Sequence, residues 1–212
     1  MYVVVGVTGN TGKVVADTLL AQKKPVRVVV RDAAKGAPWK AKGAEVAIAD
    51  MSDAAALQKA LTGATGAYVL LPPDYATNDT LGDKKKQIDA LAAAIPPSGV
   101  KHVVLLSSVG AQHAEGTGPI RSLHAAEERF ATLGVPFTFL RAPYFMENWG
   151  SSLGPVKAEG TLYAMFEKRI PMVATKDIGT AVSAARRRRD SDVGGEPRGA
   201  GARSQGRRRD PG

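Results

Sequence analysis

Gly6-Val7-Thr8-Gly9-Asn10-Thr11-Gly12 stands directly after the apolar run Tyr2-Val3-Val4-Val5. That order predicts a strand, a glycine-rich turn, and a helix that starts near Thr11 and runs through Leu20. The first glycine permits a tight turn. The second lets the backbone approach a pyrophosphate, and the third lets helix and strand pack closely. The helix start adds unpaired N–H groups and the positive end of a dipole. The spacing is G-x-x-G-x-x-G, not the commoner G-x-G-x-x-G. On this reading Gly6, Thr8, Gly9, Asn10, Thr11 and Gly12 hold the phosphates of a dinucleotide. The bland alternative, an ordinary strand-to-helix turn, has the surrounding strand and helix signals against it.

The same alternation continues to about residue 140. Further strands are expected over 26–30, 45–49, 67–71, 101–106 and 136–140. One helix is expected after Ser52, read as its cap. Another runs over 80–94 with Ile88, Leu91 and Ile95 on one face, and a third over 122–132. Short, nearly continuous apolar strands separated by helices indicate a parallel sheet covered on both faces. With right-handed crossovers this is an α/β, doubly wound fold, whose ligands bind beyond the C-terminal strand ends. After Leu140 the pattern loosens. Residues 141–148 read as a compact loop, 169–173 as a short strand, and Thr175 as the start of a helix continuing through Ala185. The expected organisation is one dinucleotide-binding domain over 1–185, with 141–185 a partial substrate region.

A chain of 212 residues, 44% hydrophobic, suits one domain with a small appendage. There is no cysteine, so no disulfide or thiolate metal site can form, and a reducing cytoplasm is the expected setting. No metal site is expected. The N-terminus enters a strand at once, without a secretory pattern, and no apolar run approaches the ~20 residues that span a bilayer. The net charge is +9. Residues 186–212 hold nine Arg against four acids, a net of +5, which leaves +4 for residues 1–185. That tail is expected to be disordered, because it cannot bury enough apolar surface to offset its ordering entropy. Its four consecutive Arg can attract phosphate non-specifically, but no recognition module accompanies them, so specific nucleic-acid binding is not expected.

The second strand ends in Arg31-Asp32, where the chain would meet the adenosine ribose. An acid there favours NAD, whereas an Arg accommodates a 2′-phosphate. Arg31 comes first and Lys35 follows, so NADP(H) is favoured over NAD(H). Asp50, after the third strand, is placed at the adenine edge, with a loop or capping role as its alternative. Leu71 and Pro72, followed by Pro73, close the fourth strand and would line the middle of the cofactor. Ser107 and Ser108 follow the fifth strand, near where a nicotinamide would sit.

Taken together, the glycine pattern, Val30-Arg31-Asp32, Ser107-Ser108-Val109-Gly110-Ala111 and Leu140-Arg141-Ala142-Pro143-Tyr144-Phe145-Met146-Glu147-Asn148-Trp149 resemble the NmrA-like group of atypical short-chain dehydrogenase/reductases. The resemblance covers residues 1 to about 183. It implies a Rossmann-like fold and NAD(P)(H) binding. It also implies either reduction of quinone-like or other small carbonyl substrates, or redox sensing without catalysis. By the same resemblance Pro143, Tyr144 and Phe145 pack against the nicotinamide end; their alternative is a hydrophobic corner.

Two departures matter. Reductases of the wider superfamily use Ser followed by Tyr-x-x-x-Lys, the Tyr supplying a proton and the Lys lowering its pKa. Here the corresponding stretch reads Pro119-Ile120-Arg121-Ser122-Leu123-His124, without Tyr or Lys. His124 falls roughly at the Lys position, which makes Ser108 and His124 the catalytic candidates. Hydride transfer to a quinone or similar small electrophile suits such a site, because the hydroquinone anion needs no strong protein acid. The alternative is a non-catalytic redox sensor acting through a protein partner; a homo-oligomer is also compatible. The second departure is the Arg/Gly tail, where the family continues with a further strand and a substrate-covering region. Residues from about 181 onward are expected to be the product of a shifted reading frame.

Overall fold

The computed structural model describes residues 1–72, 80–163 and 169–182. Six strands form one parallel sheet: β1 (Tyr2–Val5), β2 (Val26–Val30), β3 (Glu45–Ile48), β4 (Gly66–Val69), β5 (Val103–Ser108) and β6 (Phe137–Ala142). Their order is β3-β2-β1-β4-β5-β6. The chain winds outward from β1 to β3, returns to lay β4 beside β1, and winds out the other way. The crevice at that reversal lies above β1, where the glycine turn begins. The fold is therefore the Rossmann-like α/β arrangement expected.

Alternation along each strand sends successive side chains to opposite faces. Val3, Val5, Val69, Val103 and Leu105 join one buried cluster with Leu91, Ile95 and Phe130. These last three come from α4 (Thr80–Ser98) and α5 (Arg121–Ala131), and α3 (Ala54–Leu61) adds Leu57 and Leu61. Val4, Val28, Tyr68 and Val104 join the other cluster with Val15 and Leu19 of α1 (Asn10–Ala21). Because both faces are covered, the strands read as unbroken apolar runs. Burying each Val, Leu, Ile or Phe side chain stabilises the fold by about 1.5–3 kcal/mol, which is what both layers share in common.

The expected strands β1 and β2 match their observed spans, and the other four shift by one or two residues at an end. β5 and β6 each end two residues later than expected, which pairs Ser107 with Arg141 and Ser108 with Ala142. Asp53, not Ser52, caps α3, accepting from the Ala56 N–H at 3.0 Å. Helix α2 (Ala33–Ala41) was not expected, since Gly36 and Pro38 look like breakers. Asp32 caps it through the Ala34 N–H, Trp39 is buried, and a Cβ on Gly36 would stand 2.5 Å from the Val46 side chain. Glycine is there for close helix-to-strand packing. Helix α4 continues past the expected end through Pro96 and Pro97 to Ser98.

Residues 141–148 are not a simple loop. After β6 comes β7 (Tyr144–Phe145), then a 3-10 turn (Met146–Ser152) and α6 (Leu153–Glu159). β7 pairs in parallel with β8 (Met172–Val173), the part of the expected 169–173 strand that forms. Helix α7 follows over 175–182, and its Ile178 and Val182 are buried against the α1 side of the sheet. Its continuation to Ala185, the expected disorder of 186–212 and nearly all of the expected frame-shifted segment lie outside the described residues. Among the described residues no helix is long and apolar enough to cross a membrane.

Candidate functional site

Gly6 leaves β1 with φ +78°, a left-handed conformation suited to glycine, and a Cβ there would stand 2.8 Å from Leu70. The Gly9 N–H closes the turn on the Gly6 carbonyl at 3.0 Å. A Cβ on Gly12 would lie 2.3 Å from that same carbonyl oxygen. Only glycine lets α1 begin so close to β1. Gly9 occupies the N-cap position and offers no side-chain cap, so the first N–H groups of α1 point outward unclaimed by any side chain. Thr8, Gly9 and Asn10 are exposed around this opening, and Thr11 and Gly12 are buried beneath it. A cradle that a single methyl would fill, facing a bare helix N-terminus, fits the phosphates of a dinucleotide.

Beside the cradle is a cleft of about 380 Å³. Gly6, Thr8, Arg31, Asp50 and Pro72 line it, and α4 contributes Lys86 and Gln87. The structure thus gathers residues from four strand ends that the sequence reading placed along one cofactor. Two nearby acids are already engaged. Asp32 caps α2, accepting from the Ala34 N–H at 2.9 Å. Asp50 accepts from the Ser52 hydroxyl at 2.6 Å and the Ser52 N–H at 2.9 Å. Those two hydrogen bonds, with the Arg31 charge, hold the Asp50 carboxyl below its usual range against the opposing effect of burial. Arg31 is exposed at the end of β2. Leu71 packs against the core instead of lining the cleft. Lys84, buried on α4, donates to the Pro72 carbonyl and so ties α4 to the end of β4. Lys86 and Gln87 were not singled out from sequence, because the run Lys84-Lys85-Lys86 reads as a solvated helix face.

A second group of residues surrounds the ends of β5 and β6. Ser107 is only 3% exposed, and its hydroxyl donates to Glu127 of α5 at 2.5 Å. Glu127, also buried, takes Arg141 Nε at 3.0 Å and Arg141 Nη2 at 2.5 Å. Burial pushes the Glu127 carboxyl up, but the Arg141 and Ser107 hydrogen bonds outweigh it and hold the group below its usual range. Ser107 therefore faces inward and does not reach into an open cleft. Ser108 is half-buried, and its hydroxyl donates to the Val109 carbonyl at 3.0 Å. His124 Nδ1 meets the Ala111 carbonyl at 2.8 Å, and Nε2 lies 3.5 Å from Glu128. A ring nitrogen facing a carbonyl must carry the proton, so Nδ1–H is the donor. Glu127 and Arg141 were missed as a pair. The one signal was their position, an acid on the inner face of α5 opposite the last cation of β6.

Pro143, Tyr144 and Phe145 follow directly. Phe145 packs against the α1-side core, and Tyr144 meets Trp149 edge-on with ring centroids 6.3 Å apart. Glu147 reaches across to cap α7, accepting from the Thr175 N–H and hydroxyl at 2.8 Å each. Among the described residues no group of His, Cys, Asp and Glu is arranged to hold a metal ion.

The family model described as NmrA-like matches residues 2–195, past the point near 183 where the resemblance was expected to end. An NAD(P)H azoreductase of Xenophilus azovorans is 28% identical over 179 residues, covering 84% of this chain and 60% of the relative. A (4-alkanoyl-5-oxo-2,5-dihydrofuran-3-yl)methyl phosphate reductase of Streptomyces griseus is 30% identical, covering 87% of this chain and 62% of its own length. This chain thus spans about three fifths of those curated relatives. An NADPH-dependent quinone oxidoreductase from Escherichia coli, solved with NADPH, superposes with a TM-score of 0.71 at 26% identity, covering 86% of this chain and 63% of that one. Two are named as reductases and the third as an oxidoreductase, and the expected sensor alternative finds no support among them.

Proposed function

This chain belongs to the NmrA-like family, and on that premise we propose that it is an NADP(H)-dependent reductase of a quinone or similar small electrophile. One observation carries the cofactor preference. Arg31 stands at the rim of the cleft, while the carboxylates beside it, Asp32 and Asp50, are turned to the Ala34 N–H and to Ser52. An acid free to grip the ribose hydroxyls would favour NAD; a cation with its acids withdrawn favours a 2′-phosphate. One relative's name prints NAD(P)H and one structure's NADPH, which supports a nicotinamide cofactor and leaves the preference to rest on Arg31.

Bound reduced nicotinamide supplies a hydride, that is, two electrons and one proton. The residues of this chain bind and orient it. Gly6, Gly9 and Gly12 let the pyrophosphate approach the start of α1, with Thr8, Asn10 and Thr11 around it. The ends of β5 and β6 shape the reactive end. Ser107, Ser108 and the Nδ1–H of His124 each donate to a carboxylate or carbonyl of the protein, and His124 Nε2 lies toward Glu128. That arrangement suits an electrophile whose reduced anion is stable enough to take its proton from water. Quinones meet that condition, and simple ketones do not.

The test is a pair of titrations, NADPH and NADH, on wild type and Arg31→Ala, followed by turnover with a panel of quinones. The expected result is tighter binding of NADPH, a loss of about tenfold for NADPH alone in the variant, from one charge-assisted contact, and quinone-dependent NADPH oxidation. Equal affinities in wild type, or binding without turnover of any quinone, would overturn the reading.

A further inference from the structure

At the reactive end the superfamily's Tyr-Lys pair is missing, Ser107 is committed inward to Glu127, and Ser108 and His124 Nδ1 are engaged by the Val109 and Ala111 carbonyls. The negative charge that a hydride brings to its acceptor still needs a partner. Arg141 is placed for that task. It sits near the end of β6, in register with Ser107, on the C-terminal edge where doubly wound folds bind ligands. Glu127 grips it through Nε and Nη2, and its side chain is nevertheless 42% exposed. The guanidinium is thus fixed along one edge, and the remainder lies at the surface. Glu127 is fixed in turn by Ser107 and by its position on α5. A cation immobilised by a buried carboxylate needs no reorganisation when charge appears beside it, and such preorganised charges are effective catalytic groups. Arg also suits planar oxygen acceptors better than Lys, through its fork of donors.

We propose that Arg141 binds the acceptor oxygen of the substrate and stabilises the anion formed there, with Glu127 and Ser107 as positioning residues. This rests on the reductase reading above. In the step, hydride leaves the reduced nicotinamide, which becomes NADP⁺. The quinone gains both electrons and one proton as the hydroquinone monoanion. Its charged oxygen is paired with the Arg141 guanidinium until water supplies the second proton. No other oxidant or reductant enters.

The probe is 2-hydroxy-1,4-naphthoquinone, an anion at neutral pH, titrated against the protein by fluorescence with and without NADP⁺. Arg141→Gln alone would strand Glu127 as an unpaired buried charge and risks unfolding. The decisive variant is therefore Arg141→Gln with Glu127→Gln, which removes both charges together and leaves neither buried without its partner. Its expected behaviour is NADPH affinity within twofold of wild type, probe affinity weakened about tenfold, and a fall in kcat with 1,4-naphthoquinone, as for loss of one charge-assisted hydrogen bond. Arg141→Lys should keep part of the probe affinity, since the charge stays and the fork is lost. A double variant that binds the probe as tightly as wild type overturns the proposal, as does a wild type that does not bind it. Lost NADPH affinity in the double variant also overturns it, because the pair would then serve the cofactor. Failure of wild type to bind NADPH defeats the reductase reading instead, and the titration without NADP⁺ still reads Arg141 separately.

Discussion

Gly12 carries the tightest constraint on any single residue of the site. A Cβ there would stand 2.3 Å from the Gly6 carbonyl oxygen and 2.6 Å from its carbon, both backbone atoms that cannot swing aside. Gly12→Ala should therefore push α1 away from β1, at a cost of about 1–3 kcal/mol from overpacking. It should also weaken NADPH binding by more than it lowers stability, because the N–H groups that would face the pyrophosphate move with the helix. Thermal melts and NADPH titrations on the same variant check both. Glu147 allows a second residue-level prediction. Burial raises its carboxyl pKa, but the hydrogen bonds from Thr175 and the charge of Lys176 prevail and leave it below the ordinary value. A carboxylate depressed in the folded state adds stability above its unfolded pKa of about 4.3, and that stability is lost as pH falls through the lower folded pKa. Wild type should thus exceed Glu147→Gln by roughly 0.5–1 kcal/mol at neutral pH, a typical figure for an exposed helix cap. The two should converge in acid below both values. Melting midpoints measured down through the carboxylate range would show the convergence, and parallel curves would contradict it.

Among the elements, α7 makes the sharpest prediction, because its helix propensity and its packing point in opposite directions. Gly179 lies inside this helix, where Ala would ordinarily be favoured by about 1 kcal/mol. Yet a Cβ on Gly179 would meet the Val14 side chain of α1 at 2.6 Å and the Val14 carbonyl oxygen at 3.1 Å. If α7 is seated on α1 as described, Gly179→Ala destabilises by about 1–2 kcal/mol in chemical denaturation. If that contact does not form in solution, the same variant is stabilised, so the sign alone decides. The elements also show what sequence could and could not reveal. β1, β2 and the glycine turn were legible because periodicity and glycine spacing are local properties. Helix α2 was not, because Gly36 and Pro38 carry breaker signals that only the contact with Val46 explains. The cleft was legible in Gly6, Arg31, Asp50 and Pro72, each at a strand end. Lys86 was not, since its role depends on which side of α4 faces β4. Glu127 and Arg141 lie fourteen positions apart, and nothing short of the β5–β6 register says that they meet.

For the whole molecule, the question is whether the cofactor half and the segment after β6 melt as one unit. The sheet is continuous from β3 to β6, and both buried clusters use strands from either side of the reversal. Phe145, Val173, Ile178 and Val182, all from beyond β6, pack into the same cluster as Val15 and Leu19 of α1. Glu147 then joins the turn after β7 to the start of α7. A ligand seated at the head of α1 should therefore stabilise the later elements as well as its own. With NADPH at 100 times its dissociation constant, linkage adds about 2.7 kcal/mol to the folded state. For a chain of this size that raises the melting midpoint by roughly 5–10 °C. The expected scan shows one transition that moves as a whole, and amide hydrogens of β6 and α7 gain protection along with those of β1. A separate lower transition left in place by NADPH would mean that residues 141–182 fold on their own terms. In that case the contact of α7 with α1 would carry little of the stability assigned to it, and Gly179→Ala would affect only the lower transition.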